Sequence, residues 1–216
     1  ELPYTLAYAG KLTRAEVLNL PAIAPKKIGL ESTAGMLFQG DNLGALLWLR
    51  QQAGVRGEVR SIYIDPPYAT AMAFVDRDAI HAYDDHLEGA EYVEALRRRL
   101  IVLHDLLAND GSIFVHLDQT MIFETKIIMD EVFGRENFRN FITRKKCNTK
   151  NYTRNNFGNI ADHVLFYSKS DSNVWHRPYD AWNEDKVDEE YPCVDERTGR
   201  RFKKVPVHAP GTRRGE

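Results

Sequence analysis

The sequence predicts an α/β fold built on a parallel sheet, and three observations lead there. Ser61-Ile62-Tyr63-Ile64 is a short β-branched and aromatic run, the pattern of a buried strand, and it stops abruptly at Asp65-Pro66-Pro67. Between Glu88 and Leu107, residues Tyr92, Leu96, Leu100, Leu103 and Leu107 recur at helical spacing. Ser112 to Leu117 then reads as a second buried strand, and Ile122 to Val132 as a second helix stopped by Phe133-Gly134. Strand–helix–strand–helix at these lengths implies right-handed crossovers, which place the strands parallel.

The remaining elements follow in chain order. Residues 1–35 read as an N-terminal arm packed on the main domain, with a short helix between Leu12 and Leu20 capped by Thr13; a partly ordered extension would read the same. Met36-Leu37-Phe38-Gln39 predicts a short strand leading into Gly40-Asp41-Asn42. Leu43, Leu46, Leu47, Trp48 and Leu49 give the next helix its apolar face, with Asp41 or Asn42 as its cap. Gln51 to Arg60 is a loop, and so is Ala69 to His86, which lacks strong periodicity and contains Phe74, Tyr83, Asp84 and Asp85. Arg97-Arg98-Arg99 reads as a solvated helix face with a member paired to Glu94 or Glu91. Asn109-Asp110-Gly111 predicts a turn. Phe138 to Arg144 and His163 to Ser168 are two further strands, and beyond Asp171 an acidic run from Glu184 to Glu196 precedes the basic Arg200 to Lys204.

Composition narrows the function classes. The chain has 216 residues, of which 43% are hydrophobic and 28% charged, ordinary values for a globular protein with a real core. There is no apolar run of membrane-spanning length and no visible signal peptide. Cys147 and Cys193 are too few and too isolated for a disulfide framework or a zinc site, which makes a reducing cytoplasm the default. The seven histidines show no metal-ligand spacing, so no metal is expected. A net charge of −2 means that contact with nucleic acid must come from a local basic patch. One such patch runs from Arg144 to Asn156, where Lys145, Lys146, Lys150 and Arg154 interleave with Asn, Thr and Tyr and no acidic residue intervenes. Lysine and arginine engage phosphates and asparagine amides read base edges, although a flexible basic loop on an edge hairpin has the same composition.

The chemistry sits where the first buried strand ends. In open α/β sheets ligands bind at the carboxyl ends of strands, and here that end carries Asp65, Pro66, Pro67 and Tyr68. Such a group suits methyl transfer to an exocyclic amine, whose lone pair is delocalised into the base. The Asp65 carboxylate and a backbone carbonyl at Pro66 can accept hydrogen bonds from the NH₂ group, localise its lone pair and stabilise the charge that develops on nitrogen. Tyr68 offers a face on which a flipped base can stack. Asp-Pro-Pro is also an ordinary turn, and Tyr68 would serve equally as a core ring.

Asp65-Pro66-Pro67-Tyr68 matches the catalytic motif of the amino-methylating DNA methyltransferases, and the flanks resemble their β-class, above all the modification subunits of type III restriction systems. The resemblance runs from about Met36 to Lys169. It takes in Gly40-Asp41-Asn42, Tyr83-Asp84-Asp85, Asp110-Gly111-Ser112-Ile113-Phe114-Val115, Asp130-Glu131-Val132-Phe133-Gly134 and His163-Val164-Leu165-Phe166-Tyr167-Ser168-Lys169. Ala69 departs from the family, which often has Asn there. The resemblance implies a Rossmann-like, three-layer, mostly parallel sheet with an antiparallel edge hairpin made by 138–144 and 163–168. It implies S-adenosylmethionine as cofactor, with Gly40, Asp41, Asn42 and Asp65 beside it, and duplex DNA as substrate, contacted by Lys145, Lys146, Lys150 and Arg154. A restriction subunit and a homodimer are the partners it suggests.

The resulting expectation is adenine-N6 methylation of duplex DNA by base flipping. Domains are expected at 1–35 (arm), 36–170 (catalytic part) and 171–216 (start of a target-recognition region). The alternatives are N4-cytosine methylation, an RNA base methyltransferase, and a non-catalytic DNA-binding module. A glycine-rich strand–loop–helix for the methionine end of the cofactor is not seen; in the β-class it follows the target-recognition region. That order predicts a chain which stops short of it.

Overall fold

The computed structural model describes residues 5–26, 35–67, 73–75, 81–84, 89–147, 157–179 and 183–205, with backbone alone for 73–75 and 81–84. The chain divides into two compact units, Glu1–Val174 and Trp175–Glu216. In the first, helix α1 (Arg14–Leu18) and helix α2 (Asn42–Gln51) precede strand β1 (Val59–Ile64). A small antiparallel ribbon follows, β2 (Ala73–Val75) with β3 (His81–Asp84). Helix α3 (Gly89–Leu106) leads directly into β4 (Leu107–Leu117), then come α4 (Ile122–Phe133), β5 (Phe138–Lys145) and β6 (Ala161–Ser168).

The main sheet has the order β1-β4-β6-β5. Strands β1 and β4, joined through α3, are parallel, with Tyr63 opposite Phe114 and Ile64 opposite Val115. Strand β6 runs antiparallel to β4, and β5 pairs antiparallel with β6 at the edge. The result is the α/β sheet that the alternation of elements predicts: parallel where a helix separates the strands, antiparallel at the edge hairpin.

Successive side chains on a strand point to opposite faces, so each strand serves two environments. One face carries Ile62, Ile113, Val115, Leu117, Leu165 and Tyr167, all buried against Leu96, Leu100 and Leu103 of α3 and Ile128 and Met129 of α4. Fully burying one such side chain contributes roughly 1.5–3 kcal/mol, and this layer is where the unit is held. The buried Tyr167 hydroxyl donates to Asp130 at 2.6 Å, and Lys126 donates to the same carboxylate while lying 4.4 Å above the Phe138 ring. The other face carries Tyr63, Phe114, His116, Phe166 and Asp162; the Phe114 and Phe166 rings stack at 4.6 Å.

Residues before β1 are tied to the helical layer by charge. Thr13 and Glu16 form a reciprocal capping box on α1. Glu94, buried on α3, accepts from the Tyr8 hydroxyl at 2.7 Å, from the Leu12 amide and from Arg98. Burial of its ring and the neighbouring Glu94 carboxylate push the Tyr8 hydroxyl well above the usual phenol range. Burial acts to raise the Glu94 pKa, but the bonds from Arg98, Tyr8 and Leu12 prevail and hold it below the ordinary carboxylate range. Arg97 donates to Glu131 at 2.7 Å and to the Leu12 carbonyl, and Lys11 reaches Glu131 at 2.6 Å.

Four local expectations are corrected. Residues 36–39 form no strand: Phe38 packs on Trp48 of α2, 6.0 Å away, and Leu37 is 97% exposed, so the apolar residues serve the helix and the solvent instead of a sheet. The loop over 69–86 contains the β2–β3 ribbon. Asn109-Asp110-Gly111 lies inside β4 as a bulge, because Val59 pairs with Leu107 while Ser61 pairs with Ser112. At Gly111 a Cβ would lie 2.9 Å from the Val59 carbonyl oxygen and from the Leu107 side chain, which leaves room only for hydrogen. Arg97 is not solvated but 5% exposed between Glu94 and Glu131, since α3 is covered by the residues before α2 as well as by α4.

The second unit contains helix α5 (Glu184–Glu190), capped by Asn183, and a short antiparallel pair, β7 (Cys193–Val194) with β8 (Arg201–Phe202). Among its described residues none is buried. Lys203 meets Glu190 and Arg201 meets Asp188, so this unit is held by surface ion pairs and by the Asp195 turn, whose carboxylate accepts from Thr198. Among the described residues no helix is long and apolar enough to cross a membrane.

Candidate active site

Two prolines end β1 because they supply no ladder donors, and they leave Asp65 at the carboxyl edge of the sheet. Its side chain is 54% exposed. The parallel register that sets Tyr63 beside Phe114 carries Asp65 alongside His116 at the end of β4, on the face away from the helices. His116 is buried, and its Nδ1 lies 3.2 Å from Asp65 Oδ1. Its Nε2 lies 3.9 Å from Oδ2 of Asp162 on β6.

Asp162 is itself buried and belongs to the hairpin. Lys146 donates to Asp162 Oδ1 at 2.8 Å, and the Arg144 guanidinium lies 3.6 Å from Oδ2. The register Arg144 opposite Asp162 on adjacent strands creates this pairing, and the Lys146 amide continues the ladder onto the Ile160 carbonyl. Carboxylate, imidazole, carboxylate and ammonium therefore follow one another across the four strands, from the end of β1 to the start of the basic segment.

A second cluster lies at the amino end of α2. Gly40 has φ +128°, a region that favours glycine, and nothing stands within 4 Å of the position a Cβ would take. Asp41 is the N-cap and accepts from the Leu43 amide. Arg99 of α3 donates to Asp41 Oδ1 at 2.6 Å and to Asn42 Oδ1 at 2.5 Å. Half-exposed acceptors beside an open glycine backbone are a fitting set for hydrogen bonds donated by the adenine amine and ribose hydroxyls of a nucleoside cofactor.

Of the residues singled out from sequence, Asp65, Pro66 and Pro67 stand together after β1, and Gly40, Asp41 and Asn42 together before α2. Lys145 ends β5 and Lys146 follows it. Tyr68, Lys150 and Arg154 lie outside the described residues, as does Asp85. Among the described residues no cluster of three or more His, Cys, Asp or Glu could hold a metal ion. Sequence reasoning missed His116, Asp162 and Arg99. His116 left one signal: it is the polar residue at the end of an otherwise apolar strand run, Ile113 to Leu117, that must lie beside the first.

Comparison with known proteins gives the class to which a chain of this fold belongs. Residues 59–207 match the profile of the N6/N4 DNA methylase family, and the chain belongs to that family. It is 48% identical, over 98% of its length, to the type II methyltransferase M.EcaI of Enterobacter cloacae, of which it spans 47%. It is 38% identical over 51% of its length to the probable type III restriction-modification enzyme HindVI Mod subunit of Haemophilus influenzae, spanning 14% of that protein. The EcoP15I Mod subunit of Escherichia coli is 28% identical over 77% of the chain, which spans 30% of that relative. The chain thus spans less than half the length of each of these relatives. Among solved structures, the M1.HpyAVI–SAM complex aligns at a TM-score of 0.43 and 17% identity, over 68% of this chain and 60% of that one.

Proposed function

We propose that this chain carries the catalytic motif of a DNA methyltransferase that methylates adenine N6 in duplex DNA. The observation that carries this reading is Asp65, set at the carboxyl end of β1 and held by His116, in a chain of the DNA methylase family. S-adenosylmethionine, when bound, supplies an electrophilic methyl group on a sulfonium sulfur. Gly40, Asp41 and Asn42 would hold its nucleoside end. Asp65 and the Pro66 carbonyl accept the two hydrogens of the exocyclic amine, drawing the nitrogen toward a tetrahedral geometry and stabilising its developing positive charge. Tyr68 stacks on the base once it has left the helix. Lys145, Lys146, Lys150 and Arg154 take DNA phosphates. The relatives named as Mod subunits support a restriction-modification setting with a restriction partner, and a cytoplasmic location belongs to the same reading.

The test is methyl transfer from labelled S-adenosylmethionine to mixed-sequence duplex DNA, followed by nucleoside analysis, for this chain and for one extended at its C-terminus. N6-methyladenine is the expected product; N4-methylcytosine would keep the mechanism and change the base. Asp65→Ala is expected to lower the rate by about 10²–10³-fold, the usual cost of losing a group that stabilises transition-state charge, while DNA affinity changes little. Product-free reactions with DNA binding intact would instead support a non-catalytic module.

A further inference from the structure

Asp65 is more than half exposed, and a carboxylate in that position turns freely about its side-chain bonds unless a neighbour holds it. His116 is that neighbour. It is buried on β4, its Nδ1 lies 3.2 Å from Asp65 Oδ1, and it faces Asp162 through Nε2 at 3.9 Å. Asp162 is in turn fixed by Lys146 at 2.8 Å, with Arg144 at 3.6 Å. Each member sits on a different strand or at its end, so the line is built by the register of the sheet and not by local sequence.

We infer that His116 is a positioning residue: it fixes the rotamer of Asp65 and, through Asp162, ties that rotamer to Lys146 and Arg144 on the edge hairpin. The inference rests on the methyltransferase reading above. With Oδ1 beside the imidazole, the Asp65 carboxylate is held in one orientation, as an acceptor for an amine must be. An imidazole suits the task because its two ring nitrogens face different carboxylates, Asp65 at 3.2 Å and Asp162 at 3.9 Å. Asp162 orients the ring from behind, and its own orientation comes from cations that border the proposed phosphate-binding segment. No covalent step is assigned to His116.

The experiment uses the intact protein. His116→Leu is expected to lower the single-turnover rate of methyl transfer about 100-fold, with KM for DNA changed less than about two-fold, because misplacing a reacting group costs rate and not binding. His116→Gln, whose amide still donates, is expected to recover at least about ten-fold of that loss. Asp162→Asn keeps the side-chain shape and is expected to lower the rate about ten-fold. A readout independent of turnover is the ring-nitrogen NMR signal of His116, identified by its loss in His116→Gln and expected to move in Asp65→Asn. Asp65→Asn alters an exposed side chain, so this measurement stands even where His116→Leu does not fold. Full activity in a folded His116→Leu protein, equal loss in the Leu and Gln variants, or a His116 signal unmoved by Asp65→Asn would each overturn the inference. Wild-type protein that makes no methylated base would overturn the methyltransferase reading, and this inference with it.

Discussion

Asp65 and His104 show two ways in which single ionisable residues are set by their surroundings. Asp65 is more than half exposed and lies beside the buried His116. His104, near the end of α3, is lowered from 6.5 to about 4 by burial and by the nearby charges of Lys169 and Arg14. Its neutral ring therefore acts as the acceptor for Arg14 Nη2 at 2.8 Å, and its carbonyl accepts from Lys169. The unfolded chain takes up this proton first as pH falls. His104 thus leaves the fold unpenalised above about pH 6.5 and costs it stability progressively down to about pH 4. Between pH 7.5 and 4.5, wild-type protein is expected to lose about 2 kcal/mol more than His104→Gln in urea unfolding, allowing for partial solvent screening. Glu94 and Asp105, both held low by arginines, act on the acid side of that window, so the comparison isolates the histidine.

Elements are joined here by charge as much as by apolar contact. Arg97 connects α3 to α4 through Glu131 and to the residues before α1 through the Leu12 carbonyl. Arg97→Met would remove the buried cation shared by Glu94 and Glu131 and is expected to cost about 3–5 kcal/mol in chemical denaturation. The edge hairpin makes a different prediction. If its basic segment takes phosphates, neutralising Lys145, Lys146, Lys150 and Arg154 together should lower the slope of log K against log salt by about 3–4 in a DNA-binding titration. The helices α3 and α4 and the strands 61–64, 112–117, 138–144 and 163–168 were legible in the sequence because each is written in a local period. The bulge at Asn109–Gly111 was not, since only the backbone of β1 makes it necessary. Nor were the partners of the arginines: Arg97 and Leu12 lie 85 positions apart, and Lys11 and Glu131 lie 120 apart. Asp65 was legible as a carboxylate at a strand end; its engagement by His116 required the register of two strands.

At the scale of the whole molecule, burial is concentrated in one unit. Strands β4 and β6 carry fully buried side chains and lie in the middle of the sheet, whereas Trp175–Glu216 has no buried residue among those described. Hydrogen exchange should follow that division: amides of β4 and β6 are expected to exchange only on global unfolding, and those of Glu184–Phe202 to exchange by local opening with little protection. Equal protection in both would show that the second unit gains cover not evident from its own residues. The central strand has one more consequence, for what evolution can do with this chain. In β4 the odd positions Ile113, Val115 and Leu117 fill the core while His116, between them, faces Asp65. Gaining or losing a single codon there would exchange the two sets, sending an imidazole into the hydrocarbon layer and leaving the carboxylate beside an aliphatic side chain. Lineages of this protein should therefore accumulate substitutions in β4 but not insertions or deletions, and should vary in length elsewhere.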